Sequence, residues 1–324
     1  MTKPIGILYE HPEWFRPLFD ELDRRNLPYT RILAHEHRFD SDESSSPYSL
    51  VVNRVSPSAY LRGNTQAIFH AQQYLAHLDA LRIPVVNGSS AYALETSKAR
   101  QLTLLAQLGV PHPRSRVINA SSQIVPAAAE LEYPVIVKPN IGGSGALMRQ
   151  FADAGELETA VAAGELDNVF GLDHTALVQE YHPPRDGAIV RVEALDNRFL
   201  YAIRIASDPS LGFNLCPADI CEVPTNGEAV NTLAKQQRSI QPVTPPDWVV
   251  DAVLSVFQSG GIDIGGVEYL ESERDGQIYL YDINALSNFV TDAPKLIGFD
   301  PFARFVDYLE RRVGLGALQP AGVS

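Results

Sequence analysis

The segment Tyr133-Pro-Val-Ile-Val-Lys138-Pro-Asn-Ile-Gly142-Gly143-Ser-Gly145 constrains the fold more than any other stretch of this chain. It reads as a short apolar strand that ends in a lysine and turns at once through a glycine-rich loop. A buried strand ends in a lysine only where the ammonium meets a partner. The glycines let backbone N–H groups approach a phosphate closely. Together they point to a nucleoside-triphosphate site. The order excludes a P-loop, in which the lysine follows the glycines and precedes Ser or Thr.

The rest of the chain has room for such a site. Its 324 residues suit two or three domains of about 100–200 residues each. A hydrophobic content of 45% with 20% charged residues is that of a globular protein. The net charge of −13 argues against general binding to nucleic acid or an anionic membrane. No apolar run reaches the roughly 18 residues of a membrane span. The opening apolar run meets Glu10, unlike a signal peptide. Cysteine occurs only at Cys216 and Cys221, so a cytoplasmic, disulfide-free protein is expected, with a bridge or metal site there as the minor alternative.

The first ~95 residues alternate strand and helix. Ile5–Tyr9, Arg31–Ala34, Leu50–Val55 and Pro84–Val86 read as strands, Trp14–Arg25 and Thr65–Leu81 as amphipathic helices. That alternation implies a parallel sheet covered on both faces. A helix capped by Thr96 or Ser97 follows and stops at Gly109. Lys98, in its first turn, opposes the helix dipole, so it is either solvated or recruited by an anion. From about Arg114 to Tyr181 the pattern is a small α+β unit. The last part holds two hairpins, one turning at Asp196-Asn197 and one at Asp275-Gly276. Helices are expected over Trp248–Ser259 and Pro301–Val313, the second capped by Asp300.

The second hairpin carries Glu268 on one strand and Asp282 and Asn284 on the other. Side chains two apart share a face, and a favourable register adds Glu268 to that face. Two carboxylates and an amide suit Mg²⁺; a merely solvated polar face has the same pattern. His35 and His37 hint at a metal but show no ordered third ligand, so a solvated loop is the expected reading. His11, in the loop after the first strand, stands where parallel sheets bind ligands. Ser287 and Asn288 are further candidates for substrate contact.

The strand-end lysine and glycine loop, the strand exit Gln179-Glu180-Tyr181 and the acidic hairpin ending in Asp-x-Asn, in that order, resemble the ATP-grasp superfamily, specifically its RimK-type carboxylate–amine ligases. The resemblance runs from about Pro84 to Leu309 and implies an ATP-grasp fold of mixed α/β and α+β class. That fold comprises an N-terminal parallel α/β domain (1–96), a central α+β lid lobe with the glycine loop (97–181) and a C-terminal antiparallel-sheet lobe with the metal site (182–324). By the resemblance, Lys98 and Lys138 contact the nucleotide phosphates, and Gly142, Gly143 and Gly145 close over them. Gln179, Glu180 and Tyr181 hold the adenine. Arg191 and Arg204 are the catalytic arginines near the reacting phosphate, although either could be an ordinary strand surface residue. Glu268, Asp282 and Asn284 bind Mg²⁺, with Mn²⁺ as an alternative ion.

Two departures stand out. The family usually has Asp at Glu268 and Glu at Asp282, an exchange that keeps the charge. Its Asn-x-x-Pro-Gly is replaced by Asn284-Ala-Leu-Ser-Asn288, which borders the acceptor site in relatives. The ribose acid is unassigned, Asp186 being the nearest candidate. The implied activity is ATP-dependent joining of a small carboxylate to an amine through an acyl phosphate, with no nucleic-acid or membrane partner and a homo-oligomeric state. A peptide-tailoring ligase and a nucleotide-binding protein without catalysis are the alternatives.

Overall fold

The computed structural model describes residues 3–317 except 12, 144 and 207–238, so Cys216 and Cys221 lie outside the described residues. Three sheets organise the chain. The first is parallel, in the order β2 (Tyr29–Leu33), β1 (Ile5–Tyr9), β3 (Leu50–Arg54), β4 (Val85–Val86). Helix α1 (Arg16–Arg24) packs Leu18, Phe19 and Leu22 with Ile5, Ile7 and Val52. Helix α2 (Thr65–Ala80) packs Ala71, Leu75 and Leu78 with Leu8 and Val51. With both faces covered, β1 and β3 are buried at every residue, which is why β1 and the first three residues of β3 read as apolar runs.

After the short helix α3 (Ser89–Glu95), helix α4 (Lys98–Gln107) begins at Ser97, whose hydroxyl accepts from the Arg100 amide. The second sheet is antiparallel, in the order β5 (Ser115–Ile118), β8 (Ala176–Glu180), β6 (Val135–Pro139), β7 (Arg149–Phe151). Helices α5 (Ile124–Ala128) and α6 (Ala154–Ala162) cover one face with a separate core that includes Val135, Val137, Phe151, Leu157 and Val178.

The third sheet is also antiparallel: β11 (Ser239–Pro242), β10 (Arg198–Ala206), β9 (Pro184–Leu195), β12 (Ile264–Ser272), β13 (Ile278–Asn284). The β9–β10 turn puts both Asp196 and Asn197 at positive φ, as a type I′ turn requires. Alternation along the strands sends Ile189, Leu195, Ile203 and Ile264 into the core shared with β1, β3, α1 and the last helix, α9 (Pro301–Ala317). Val192, Ala194, Ala202 and Val267 face the opposite way, onto α7 (Asp247–Gly260) and α4. A one-turn helix, α8 (Ala293–Ile297), precedes α9. No helix among the described residues is long and apolar enough to cross a membrane.

One buried side chain joins the first sheet to the third. Asn87, just after β4, accepts from the Asp263 and Ile264 amides (2.9 and 3.2 Å). It also donates to the carbonyls of Ile264 (2.7 Å) and Ala285. Asn87→Ala strands several buried backbone groups, each costing about 1–3 kcal/mol. Urea denaturation should show stability falling by about 2–4 kcal/mol; a loss below about 0.5 kcal/mol would contradict the joint.

Candidate active site

The three sheets enclose a cleft of about 270 Å³, lined by Lys98, Lys138, Gln179, Glu180, Tyr181, Arg191, Glu268, Asp282 and Asn284, by Gly142, Gly143 and Gly145, and by Trp14, Ser58 and Glu95. In β12–β13 the register sets Glu268 opposite Asp282 and Gly266 opposite Asn284. Glu268, Asp282 and Asn284 therefore share the face expected of them. A bulge past this pair leaves Tyr281 as the extra residue. Its hydroxyl donates to Glu268 Oε2 at 2.9 Å. Arg191, directly across from Glu268 on β9, donates to Glu268 Oε1 at 3.1 Å and to Glu193 Oε1 at 2.6 Å.

Burial, and then the neighbouring Asp282 charge, push the Glu268 carboxyl above the usual range. Burial also opposes ionisation of Asp282, but Lys98, which donates to Asp282 Oδ1, holds it below the usual range. Two facing carboxylates and an amide oxygen are a donor set that fits a hard divalent cation with phosphate oxygens completing its shell. Among the described residues no group of three or more His, Cys, Asp or Glu side chains is arranged to hold a metal.

Lys138 projects from β6 and donates to Gln179 Oε1 at 2.7 Å, while Gln179 Nε2 donates to Ser115 Oγ at 2.8 Å. The Gln179 side chain thus orients Lys138 rather than facing a base. Burial, and then repulsion from Lys98, lower the Lys138 ammonium to about 7. Glu180 is likewise engaged: its carboxylate accepts from Arg114 (3.2 Å) and from the Glu132 amide (3.0 Å). Tyr181 lines the cleft beside the apolar Pro113, Ile136, Met148 and Leu270, a slot suited to a planar ring. Gly143 must be glycine for a packing reason as well, since a Cβ there would stand 2.8 Å from the Ser58 Cβ.

Arg204 is a correction. Its register partner on β9 is Val190, whereas Arg191 is paired with Ile203. Alternation therefore puts the two arginines on opposite faces of the sheet. Arg204 lies 3.5 Å from Asp186, and neither residue lines the cleft. His11 stacks on Trp14 (ring centroids 4.7 Å apart) and does not line the cleft either. His37 lies 3.1 Å from a nitrogen of His70 and packs on Tyr74, so it is not a solvated loop residue.

Four polar residues of the site went unread in the sequence or were misread. Ser287 is fully buried; its hydroxyl donates to Glu193 Oε1 at 2.8 Å and its carbonyl accepts from Arg54. Arg54 ends β3, entirely buried, with its guanidinium 4.9 Å from the Phe15 ring. Burial lowers it to about 10 against the pull of Glu95 and Glu193. Its Nε and Nη1 have no hydrogen-bond partner among the described residues. Glu193 could have been found by its two-residue spacing from Arg191, and Ser287 was expected at the substrate. Arg54 and Glu95 carry no local signal, because tertiary packing alone brings Glu95 to the cleft and Arg54 to the Ser287 carbonyl behind it.

Residues 97–183 match the family described as carbamoyl-phosphate synthase L chain, ATP binding domain. A probable alpha-L-glutamate ligase of Pasteurella multocida (strain Pm70) is 23% identical over 241 residues, 74% of this chain and 68% of that protein. The D-alanine–D-alanine ligase of Pseudomonas fluorescens (strain Pf0-1) is 34% identical over 109 residues, 33% of this chain and 32% of that protein. The chain thus spans about a third of the length of that curated relative. The crystal structure of a RimK domain ATP-grasp protein from Sphaerobacter thermophilus DSM 20745 covers 94% of this chain and 98% of its own, at a TM-score of 0.64 and 18% identity. The chain has the ATP-grasp fold, and residues 97–183 match an ATP-binding domain. The ATP-grasp fold accounts for the three sheets and for a cleft between the second and third, and the RimK-type resemblance holds.

Gly266 tests the packing of the acidic face. A Cβ there would stand 2.8 Å from both Arg191 Nε and Glu193 Oε1. Gly266→Ala should cost about 1–3 kcal/mol in chemical denaturation, as overpacking does. Gly314→Ala, with nothing within 4 Å, should be neutral or stabilising.

Proposed function

We propose that this ATP-grasp chain is an ATP-dependent ligase that joins a carboxylate to an amine through an acyl phosphate, on amino-acid-like substrates. One observation carries the reading. Cations from three elements, Lys98, Lys138 and Arg191, converge on one cleft with the Glu268–Asp282–Asn284 face, and Lys138 makes no ion pair among the described residues. A triphosphate would supply the ion-pair partner that Lys138 does not have among the described residues.

The chemistry asks for little beyond placement and charge. A carboxylate oxygen attacks the γ-phosphorus, the β–γ bridging bond breaks, and ADP leaves. The amine, once its ammonium has lost a proton to water, attacks the acyl carbon, the bond from that carbon to the phosphate oxygen breaks, and the departing phosphate or water takes the second N–H proton. Glu268, Asp282 and Asn284 would hold Mg²⁺, which when bound neutralises phosphate charge. Lys98 and Lys138 hold phosphate oxygens, the Gly142–Gly145 segment covers them and excludes water, and Arg191 stands beside the reacting phosphate. The site has no need of a nucleophile–base pair.

Phosphate release from ATP should require a carboxylate and an amine together, measured by a screen that crosses amino acids as donors with amines as acceptors. Lys138→Ala and Asp282→Ala should each lower turnover about a hundredfold, on the order of 3 kcal/mol. Full turnover in both variants would overturn the assignment, and nucleotide binding without product across the screen would favour a non-catalytic binder.

Lys138 also sets a pH dependence. Its ammonium is half-ionised near pH 7 in the free protein, and a bound triphosphate favours the charged form. Above that pH, binding must take up a proton, so the Kd for the Mg²⁺ complex of a non-hydrolysable ATP analogue should rise by up to tenfold per unit from about pH 7. Titration calorimetry checks this, and Lys138→Met should flatten the rise.

A further inference from the structure

Glu95 is the one carboxylate lining the cleft that makes no ion pair among the described residues: Glu180 pairs with Arg114, Glu268 with Arg191 and Asp282 with Lys98. It ends α3, where the helix dipole opposes a negative charge. Its Oε2 accepts from the amides of Ala285 and Leu286, the latter at 3.2 Å. Its Oε1 accepts no hydrogen bond among the described residues. The two lysines do not serve it, since Lys98 donates to Asp282 and Lys138 to Gln179.

Trp14, Ser56, Pro57, Ser58, Leu286 and Asn288 also line the cleft, and the charged groups that act on Glu95 include Asp282 and Lys98. A partly buried carboxylate at the C-terminal end of a helix, acted on by Lys98 and Arg54 but ion-paired with neither among the described residues, gains from a ligand that supplies positive charge at its open oxygen. In a carboxylate–amine ligation the amine substrate carries an ammonium group in neutral water; an amino-acid donor carries one as well, and hydroxamate formation, which uses the donor alone, tells the two apart. We infer that Glu95 anchors the ammonium of the amine substrate, so that this wall of the cleft selects a primary amine and rejects an anionic acceptor. The inference rests on the ligase reading. It also gives a role to the Asn284-Ala-Leu-Ser-Asn288 segment. The amides that segment offers to Glu95 hold the carboxylate in place, leaving its second oxygen for the substrate.

Hydroxylamine separates the two ideas. It is small and uncharged at neutral pH, it traps an acyl phosphate as a hydroxamate, and it needs no carboxylate anchor. The probes are the proteinogenic amino acids and D-alanine as carboxylates, with hydroxylamine and then the same amino acids as acceptors. In Glu95→Gln the KM for the amino-acid acceptor should rise tenfold or more, while hydroxamate formation falls less than threefold. Glu95→Asp, which keeps the charge, should recover part of the acceptor affinity. A matching thermal shift with Mg²⁺ and a non-hydrolysable ATP analogue shows that each variant is folded. Parallel loss of both reactions in Glu95→Gln, or loss of neither, overturns the anchor. If the wild-type chain forms no hydroxamate from any probe carboxylate, the ligase reading fails first and the anchor falls with it.

Discussion

Everything at this site depends on holding like charges close together out of water. Glu268 and Asp282 face each other across β12 and β13, Lys98 and Arg191 stand against them, and Lys138 lies beyond. Such a group is unfavourable in itself. Removing one member of a buried pair typically costs about 3–5 kcal/mol, because the partner is left uncompensated. The network persists because rigid packing holds its backbone from both faces of the third sheet. One face is locked into the core shared with the first sheet and α9, the other into α7 and α4.

The first sheet contributes to that network. Arg54, at the end of β3, reaches the Ser287 carbonyl, and Ser287 passes the link to Glu193, Arg191 and Glu268. A continuous polar chain therefore runs from the parallel sheet to the acidic face. Asn87 ties the same two sheets by backbone hydrogen bonds. By contrast, the second sheet has its own core and joins the rest through the cleft, the segment after β8 and contacts such as the Arg274–Glu132 ion pair. Two sheets fused by a common core with a third more loosely attached is the arrangement expected where one lobe must move to admit a nucleotide.

Legibility in the sequence followed how local each signal was. The parallel sheet was readable because β1 and β3 are buried on both faces and their residues say so. The Lys138–glycine turn was readable because strand, cation and loop are contiguous. Glu268, Asp282 and Asn284 were readable as a set, although their common face depended on a register the sequence does not state. The β-bulge that brings Tyr281 onto Glu268 has no sequence mark. Arg204 was misplaced for the same reason. A positive charge near the end of a strand says nothing about parity relative to Arg191, and one residue of parity decides which side of the sheet it faces. Gln179 belonged to the cleft, but its partner proved to be Lys138, a contact between neighbouring strands.

The departure after Asn284 has a physical counterpart. Where the ATP-grasp resemblance implies Pro-Gly, this chain has Ser287-Asn288. A proline would have no hydroxyl for Glu193, and Glu193, fully buried with Oε2 already lacking a hydrogen-bond partner, would then keep only Arg191. A second bond to Oε1 from Ser287 shares the carboxylate between two donors and fixes the Arg191 rotamer through it. The substitution at 287 and the buried acid at 193 are therefore one feature. The geometry of Arg191 over Glu268, and with it the position of any phosphate between them, is set by a serine that touches neither.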